Sequence, residues 1–113
     1  MTMDEQKPLK VSIPTNDGVN IFPGMLGKAK YFYVYKIHTS GDIRLFEERE
    51  NPFEKTLQPL KTLDVYQLID DCSIIISTRI GKKGITRLRE RGMRLIFKDG
   101  DIQDALASVS NSL

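Results

Sequence analysis

Three consecutive isoleucines, Ile74 to Ile76, sit between Ser73 and Ser77 with no polar alternation. A short β-branched run of this kind predicts a strand buried on both faces. Just upstream, Val65, Leu68, Ile69 and Cys72 fall at i, i+3, i+4 and i+7, the stripe of an amphipathic helix that runs up to that strand. Downstream, Thr78-Arg79-Ile80-Gly81-Lys82-Lys83-Gly84 reads as a glycine-broken basic turn, and Ile85 to Arg91 as a second helix with Gly92 at its C-terminal cap. Met93 to Phe97 is another short apolar strand. Asp99-Gly100-Asp101 then turns the chain into a last helix, N-capped by Asp101, with Ile102, Ala105, Leu106 and Val109 on its apolar stripe.

The amino-terminal half has period two instead. Lys10 to Pro14 alternates, placing Val11 and Ile13 on one face of a first strand, and Thr15-Asn16-Asp17-Gly18 has the composition of a turn. Val19 to Lys30, with Pro23, Gly24 and Gly27, predicts irregular chain. Tyr31 to Ile37 is aromatic and β-branched, and Thr39-Ser40-Gly41-Asp42 is a hairpin turn. The returning strand is Ile43 to Glu48, with Ile43 and Leu45 on one face, and Asn51-Pro52 ends it. A strand, a hairpin and then α-β-α-β-α give an α/β domain. Its sheet should be mixed and five-stranded, three antiparallel strands followed by βαβ units, with helices on both faces. Ile74 to Ile76 should lie in the sheet interior, parallel to the first strand.

Composition adds bounds more than detail. A chain of 113 residues, 40% hydrophobic and 28% charged, reads as one globular domain over 1–113, with the polar segment 1–8 frayed. No apolar run approaches the ~20 residues of a membrane span, and no apolar signal core opens the chain, so a cytoplasmic address without membrane attachment is the expectation. A single cysteine excludes an internal disulfide and any multi-cysteine metal site within one chain. The net charge of +2 hides a polarity. Arg79, Lys82, Lys83, Arg87, Arg89, Arg91 and Arg94 stand against Glu90 alone, whereas acids dominate from Asp42 to Glu54.

The order of several short motifs resembles dinitrogenase iron–molybdenum cofactor biosynthesis proteins, the NifX-like accessory and cofactor-carrier group. The motifs are Ile13-Pro14-Thr15-Asn16, Leu26-Gly27-Lys28-Ala29-Lys30-Tyr31-Phe32, Glu50-Asn51-Pro52-Phe53, Asp71-Cys72, Ile80-Gly81 and Leu88-Arg89-Glu90-Arg91-Gly92-Met93. The resemblance covers about Val11 to Leu106. It implies a ribonuclease-H-like fold, no catalysis, and the carrying of an iron–molybdenum or other metal–sulfur cluster, with delivery to a protein partner. Two departures stand out. Where many members have a His-Gly-rich segment after Asn-Pro, this chain has Glu54-Lys55-Thr56-Leu57-Gln58, and the usual Phe-Gly is Leu26-Gly27. Both argue against direct metal ligation.

The candidate chemistry is therefore an anion site. A strand end, Gly81 in the turn and a helix start place free backbone N–H groups and a positive dipole end together. In open α/β sheets that edge is where ligands bind. Arg79, Lys82 and Lys83 would supply charge, Gly81 close backbone approach, and Thr15 and Asn16 neutral hydrogen bonds. Gly27 and Lys28 join if the early loop folds over the same edge. Cys72 reads as a core residue, with thiolate ligation of a cluster as its alternative. His38, the only histidine, has no ligand cluster around it and reads as a surface residue. Asp17, Asp70 and Asp71 invite a two-metal nuclease reading. The first strand carries Lys10, Ser12 and Pro14 where such a site needs acids, so Asp70 and Asp71 read as solvated residues of the last helical turn. Nucleic-acid binding through the basic face is disfavoured, since residues 79–94 hold no aromatic side chain for base stacking. The remaining alternative to a carrier is a cluster-free protein-interaction or regulatory module on the same fold.

Overall fold

The alternating segment at the start of the chain forms β1 (Leu9–Thr15), the middle strand of a five-stranded sheet, in a computed structural model that describes residues 7–55 and 62–112. The hairpin pairs β2 (Tyr31–Ile37) antiparallel to β1, with β3 (Ile43–Glu50) on the outer edge. On the other side β4 (Ile74–Ser77) runs parallel to β1, and β5 (Arg94–Phe97) parallel to β4. The order β3-β2-β1-β4-β5, three antiparallel strands and then βαβ crossovers, is the ribonuclease-H-like α/β arrangement. The crossover helices are α1 (Thr62–Ile69) and α2 (Lys82–Glu90), and α3 (Ile102–Ser112) follows the last strand. No described helix is long and apolar enough to cross a membrane.

The isoleucine run lacks alternation because both of its faces are covered. Ile74 and Ile76 pack with Val11, Ile13 and the Ile102, Ala105, Leu106 and Val109 stripe of α3. Ile75 faces the other way, into a second cluster with Phe32, Val34, Val65 and Ile69 of α1, and Leu88 of α2. All three isoleucines are buried. The α3 cap is as expected, with the Asp104 N–H donating to Asp101 Oδ1 at 3.0 Å. At the end of α2, the Met93 and Gly92 N–H groups donate back to the carbonyls of Leu88 and Arg89, and Gly92 takes φ +85°. This closing motif needs a left-handed residue, which glycine adopts without strain.

Several boundaries differ from the pattern reading. Helix α2 begins at Lys82 and not at Ile85, because Gly84 falls in its first turn, where a glycine weakens but does not stop a helix. Lys82 and Lys83 are thus helical, with Gly81 at the N-cap. Strand β3 extends to Glu50 and contains a bulge, since Leu45 pairs with Tyr35 and Glu47 with Val34, leaving Phe46 extra. Leu45 stays 46% exposed on this edge, whereas Ile43 packs against the first cluster. The Val19–Lys30 stretch is irregular apart from a 3₁₀ turn at Leu26–Lys28. The segment 1–8 and the stretch after Asn51-Pro52 fall partly outside the described residues.

Helix α1 stops at Ile69, so Cys72, Asp70 and Asp71 lie beyond it. Asp71 is also not a freely solvated acid. The Arg49 guanidinium grips it with two bonds, Nη1 to Oδ1 at 2.7 Å and Nη2 to Oδ2 at 2.8 Å, while Lys10 Nζ reaches Oδ2 at 3.1 Å. Arg49 Nη1 also donates to the Leu68 carbonyl at 2.8 Å and so closes the end of α1. The Arg49 contact holds the Asp71 carboxyl well below the usual carboxylate range, against an opposing effect of burial. The folded-state pKa lies below the unfolded one, so the stabilisation is complete above about pH 4 and is lost as pH falls further. Wild-type protein should therefore lose more stability than Asp71→Asn between about pH 4 and pH 2, read as urea midpoints. Parallel curves for the two proteins would show that this pair contributes nothing.

A candidate anion-binding cleft

Strands β1 and β4 are parallel, so their carboxyl ends meet at one sheet edge. The loop leaving β1 folds back over that edge and is strapped to the β4–α2 connection. The Leu26 N–H donates to the Arg79 carbonyl at 3.0 Å, and Met25 and Arg79 form an isolated bridge. Ser77 Oγ donates to the same carbonyl at 3.2 Å.

A second clasp comes from Asn51, which is 6% exposed. Its side-chain amide donates to the carbonyls of Gly27 (2.9 Å) and Ala29 (2.8 Å), and its Oδ1 accepts the Phe53 N–H at 3.0 Å. The Asn51 N–H also donates to the Lys30 carbonyl at 2.9 Å. The 3₁₀ turn is thereby fixed beside the start of α2. Pattern reading treated Asn51 only as the residue that ends a strand. The available signal was its place in the Glu50-Asn51-Pro52-Phe53 motif.

Between the two clasped segments lies a cleft of about 300 Å³. Leu26, Val65, Ile80 and Leu88 give it apolar walls, Met25 and the glycines Gly27, Gly81 and Gly84 line it closely, and Lys28 and Lys83 stand at its polar margin. Gly81 caps α2 with no side-chain hydrogen bond, and its carbonyl accepts the Ile85 N–H at 2.9 Å. The N–H groups of the first helical turn have no intrahelical partner, and the dipole adds positive potential at the same point. A Cβ on Gly81 would stand 3.3 Å from the Met25 methyl, so a side chain there would press on the wall of the cleft.

Of the residues proposed from sequence, the fold gathers Gly27, Lys28, Gly81 and Lys83 into this cleft. Lys82 points along the outer face of α2, with Thr86, Arg87 and Glu90. Arg79 contributes its carbonyl to the strap while its residue is exposed. Thr15 is fully buried, and its hydroxyl donates to the Asn20 carbonyl at 2.6 Å and accepts the Gly18 N–H at 3.0 Å. Asn16 accepts the Lys30 N–H on its side-chain oxygen at 2.8 Å. Both therefore brace the loop on the same sheet edge and do not line the cleft.

The other candidates lie apart. Asp17 Oδ1 accepts the N–H groups of Val19 and Asn20, both at 2.9 Å, and these bonds lower its pKa. It organises the turn after β1. His38 is half-buried at the hairpin, where its N–H donates to the Asp42 carbonyl. Cys72 is 5% exposed in the second core cluster, and burial, reinforced by the Asp71 charge, pushes its thiol up to about 12. Among the described residues no group of three or more His, Cys, Asp or Glu side chains is placed to hold a metal ion.

The profile of the dinitrogenase iron–molybdenum cofactor family matches residues 7–112. No curated protein matches the sequence. Among solved structures, the protein PH0822 is 22% identical with a TM-score of 0.75, covering 92% of either chain. The apo form of the orange protein from Desulfovibrio gigas is 14% identical with a TM-score of 0.72, covering 91% of this chain and 88% of its own. A Thermotoga protein of the DUF35 family is 21% identical with a TM-score of 0.65, again covering 91% and 88%. At these identities the likeness is one of fold.

Proposed function

The chain belongs to the dinitrogenase iron–molybdenum cofactor family, and from that premise we propose that it is a small, non-catalytic carrier of an anionic metal–sulfur cluster. The observation that carries this reading is the α2 N-terminus, uncapped by any side chain, opening into a cleft margined by Lys28 and Lys83. The donor set suits a cluster retained by charge and backbone amides, since among the described residues the lining offers no thiolate, imidazole or carboxylate. Sulfide-surfaced clusters are multiply negative yet soft and weakly hydrated. Apolar walls with charge-assisted donors at the margin match that combination. The cargo would be of the iron–molybdenum cofactor type or a related thiometallate, passed on to a protein partner in the cytoplasm. Cys72, buried and protonated at neutral pH, is a packing residue in this account.

One feature favours the cluster-free interaction module instead, namely the sequence Glu54-Lys55-Thr56-Leu57-Gln58 in place of a histidine-bearing segment. Anaerobic isolation from the native host, followed by analysis for molybdenum, iron and copper, separates the two. The carrier reading predicts bound metal with sulfide in wild-type protein and the same metal content in Cys72→Ala, which should be only ~1 kcal/mol less stable. Metal-free wild-type protein would favour the module. Loss of metal from Cys72→Ala at unchanged stability would make the thiol a ligand.

A further inference from the structure

We propose that the outer face of α2 is a docking groove for an acidic segment of a partner protein. A shallow groove of about 330 Å³ runs along this face, lined by Lys82, Lys83, Thr86, Arg87 and Glu90, all exposed. Leu88 is the buried residue of the helix, so most of its surface is turned to solvent. Beyond the groove Arg91 is held over the Tyr66 ring, 4.9 Å from its centre, which keeps a further cation on this side of the molecule. The opposite sheet edge, β3, carries Glu47, Glu48 and Glu50 against Arg44 and Arg49, a small net negative charge. With positive charge at α2 and negative charge at β3, the protein's field turns an approaching acidic surface towards the groove.

Two features favour a peptide over a nucleic acid. The Glu90 carboxylate can accept from a peptide backbone N–H, a donor that a phosphodiester backbone lacks. Residues 79–94 also hold no aromatic side chain on which bases could stack. The nine residues of α2 span about 13 Å, enough for about four residues of extended peptide.

The groove shares Lys83 with the cleft, but the inference does not rest on the cluster reading. Arg87 lies outside the cleft lining, so Arg87→Glu should leave tetrathiomolybdate binding unchanged. Anisotropy with a labelled glutamate–serine peptide at low salt should show saturable binding by the full chain. Arg87→Glu should weaken it about tenfold, and Arg44→Glu, on β3, should not change it. Three results would overturn the proposal. Equal losses from the two reversals would reduce it to diffuse charge attraction. Tighter binding of a mixed-sequence DNA duplex than of the peptide would make the face a nucleic-acid surface. Self-association in sedimentation that Arg87→Glu abolishes would give the groove to the acidic edge of a second copy.

Discussion

Asn51→Ala should destabilise the domain by about 3 kcal/mol and abolish tetrathiomolybdate binding in the protein that remains folded. The side-chain amide of Asn51 meets two loop carbonyls, at Gly27 and Ala29, and its oxygen meets the Phe53 N–H. Alanine removes all three bonds and leaves a site that is 6% exposed, where water reaches the orphaned groups poorly. Each buried polar group left without a partner costs about 1–3 kcal/mol. The 3₁₀ turn would then lose the side-chain part of its second clasp, keeping the strap from Leu26 to Arg79 and the backbone bond from Asn51 to Lys30. Urea denaturation would show the stability loss, and thermal melting a drop of roughly 10 °C. A loss under about 1 kcal/mol with intact anion binding would mean that the turn holds its place without Asn51. Asn51→Asp offers a second reading, since it keeps an acceptor for Phe53 but sets a carboxylate against two carbonyls. It should lose binding as well.

The physical reason why Asn51 escapes pattern reading is distance along the chain. Its partners are 22 and 24 residues away, and only the closed sheet brings β3's end to the early loop. The same limit applies to Thr15 and Asn16. As isolated polar residues near a strand end they look free to bind a ligand, yet Thr15 folds back on the turn that follows it, bonding Asn20 and Gly18, and Asn16 reaches the Lys30 N–H, 14 residues away. Elements held by periodic burial were legible. The α3 stripe and the hairpin depend on patterns of two or 3.6 that the sequence states directly, and Ile74 to Ile76 on an unbroken β-branched run. The start of α2 was not, because two glycines within four residues look like a broken turn when the fold uses one as an N-cap and tolerates the other. Lys83 and Lys28 could be proposed from sequence, but only the folded loop shows that they share a cleft while Lys82 points elsewhere.

The central claim is that charge is focused at the α2 N-terminus and not spread over a basic face. The most direct test is titration of tetrathiomolybdate into wild-type protein and two double reversals. Lys28→Glu/Lys83→Glu changes both lysines of the cleft margin, and Arg87→Glu/Arg91→Glu changes cations one and two turns farther along. The first should weaken binding at least about a hundredfold, ~2.7 kcal/mol, because opposite charges within a few ångströms at a protein surface interact by several kcal/mol. The second should weaken it less than about threefold at physiological salt, where the screening length is about 8 Å. Wild-type affinity should fall as salt rises, with circular dichroism unchanged in both variants. Equal losses in the two double reversals, or no binding of the anion by wild-type protein, would contradict the account.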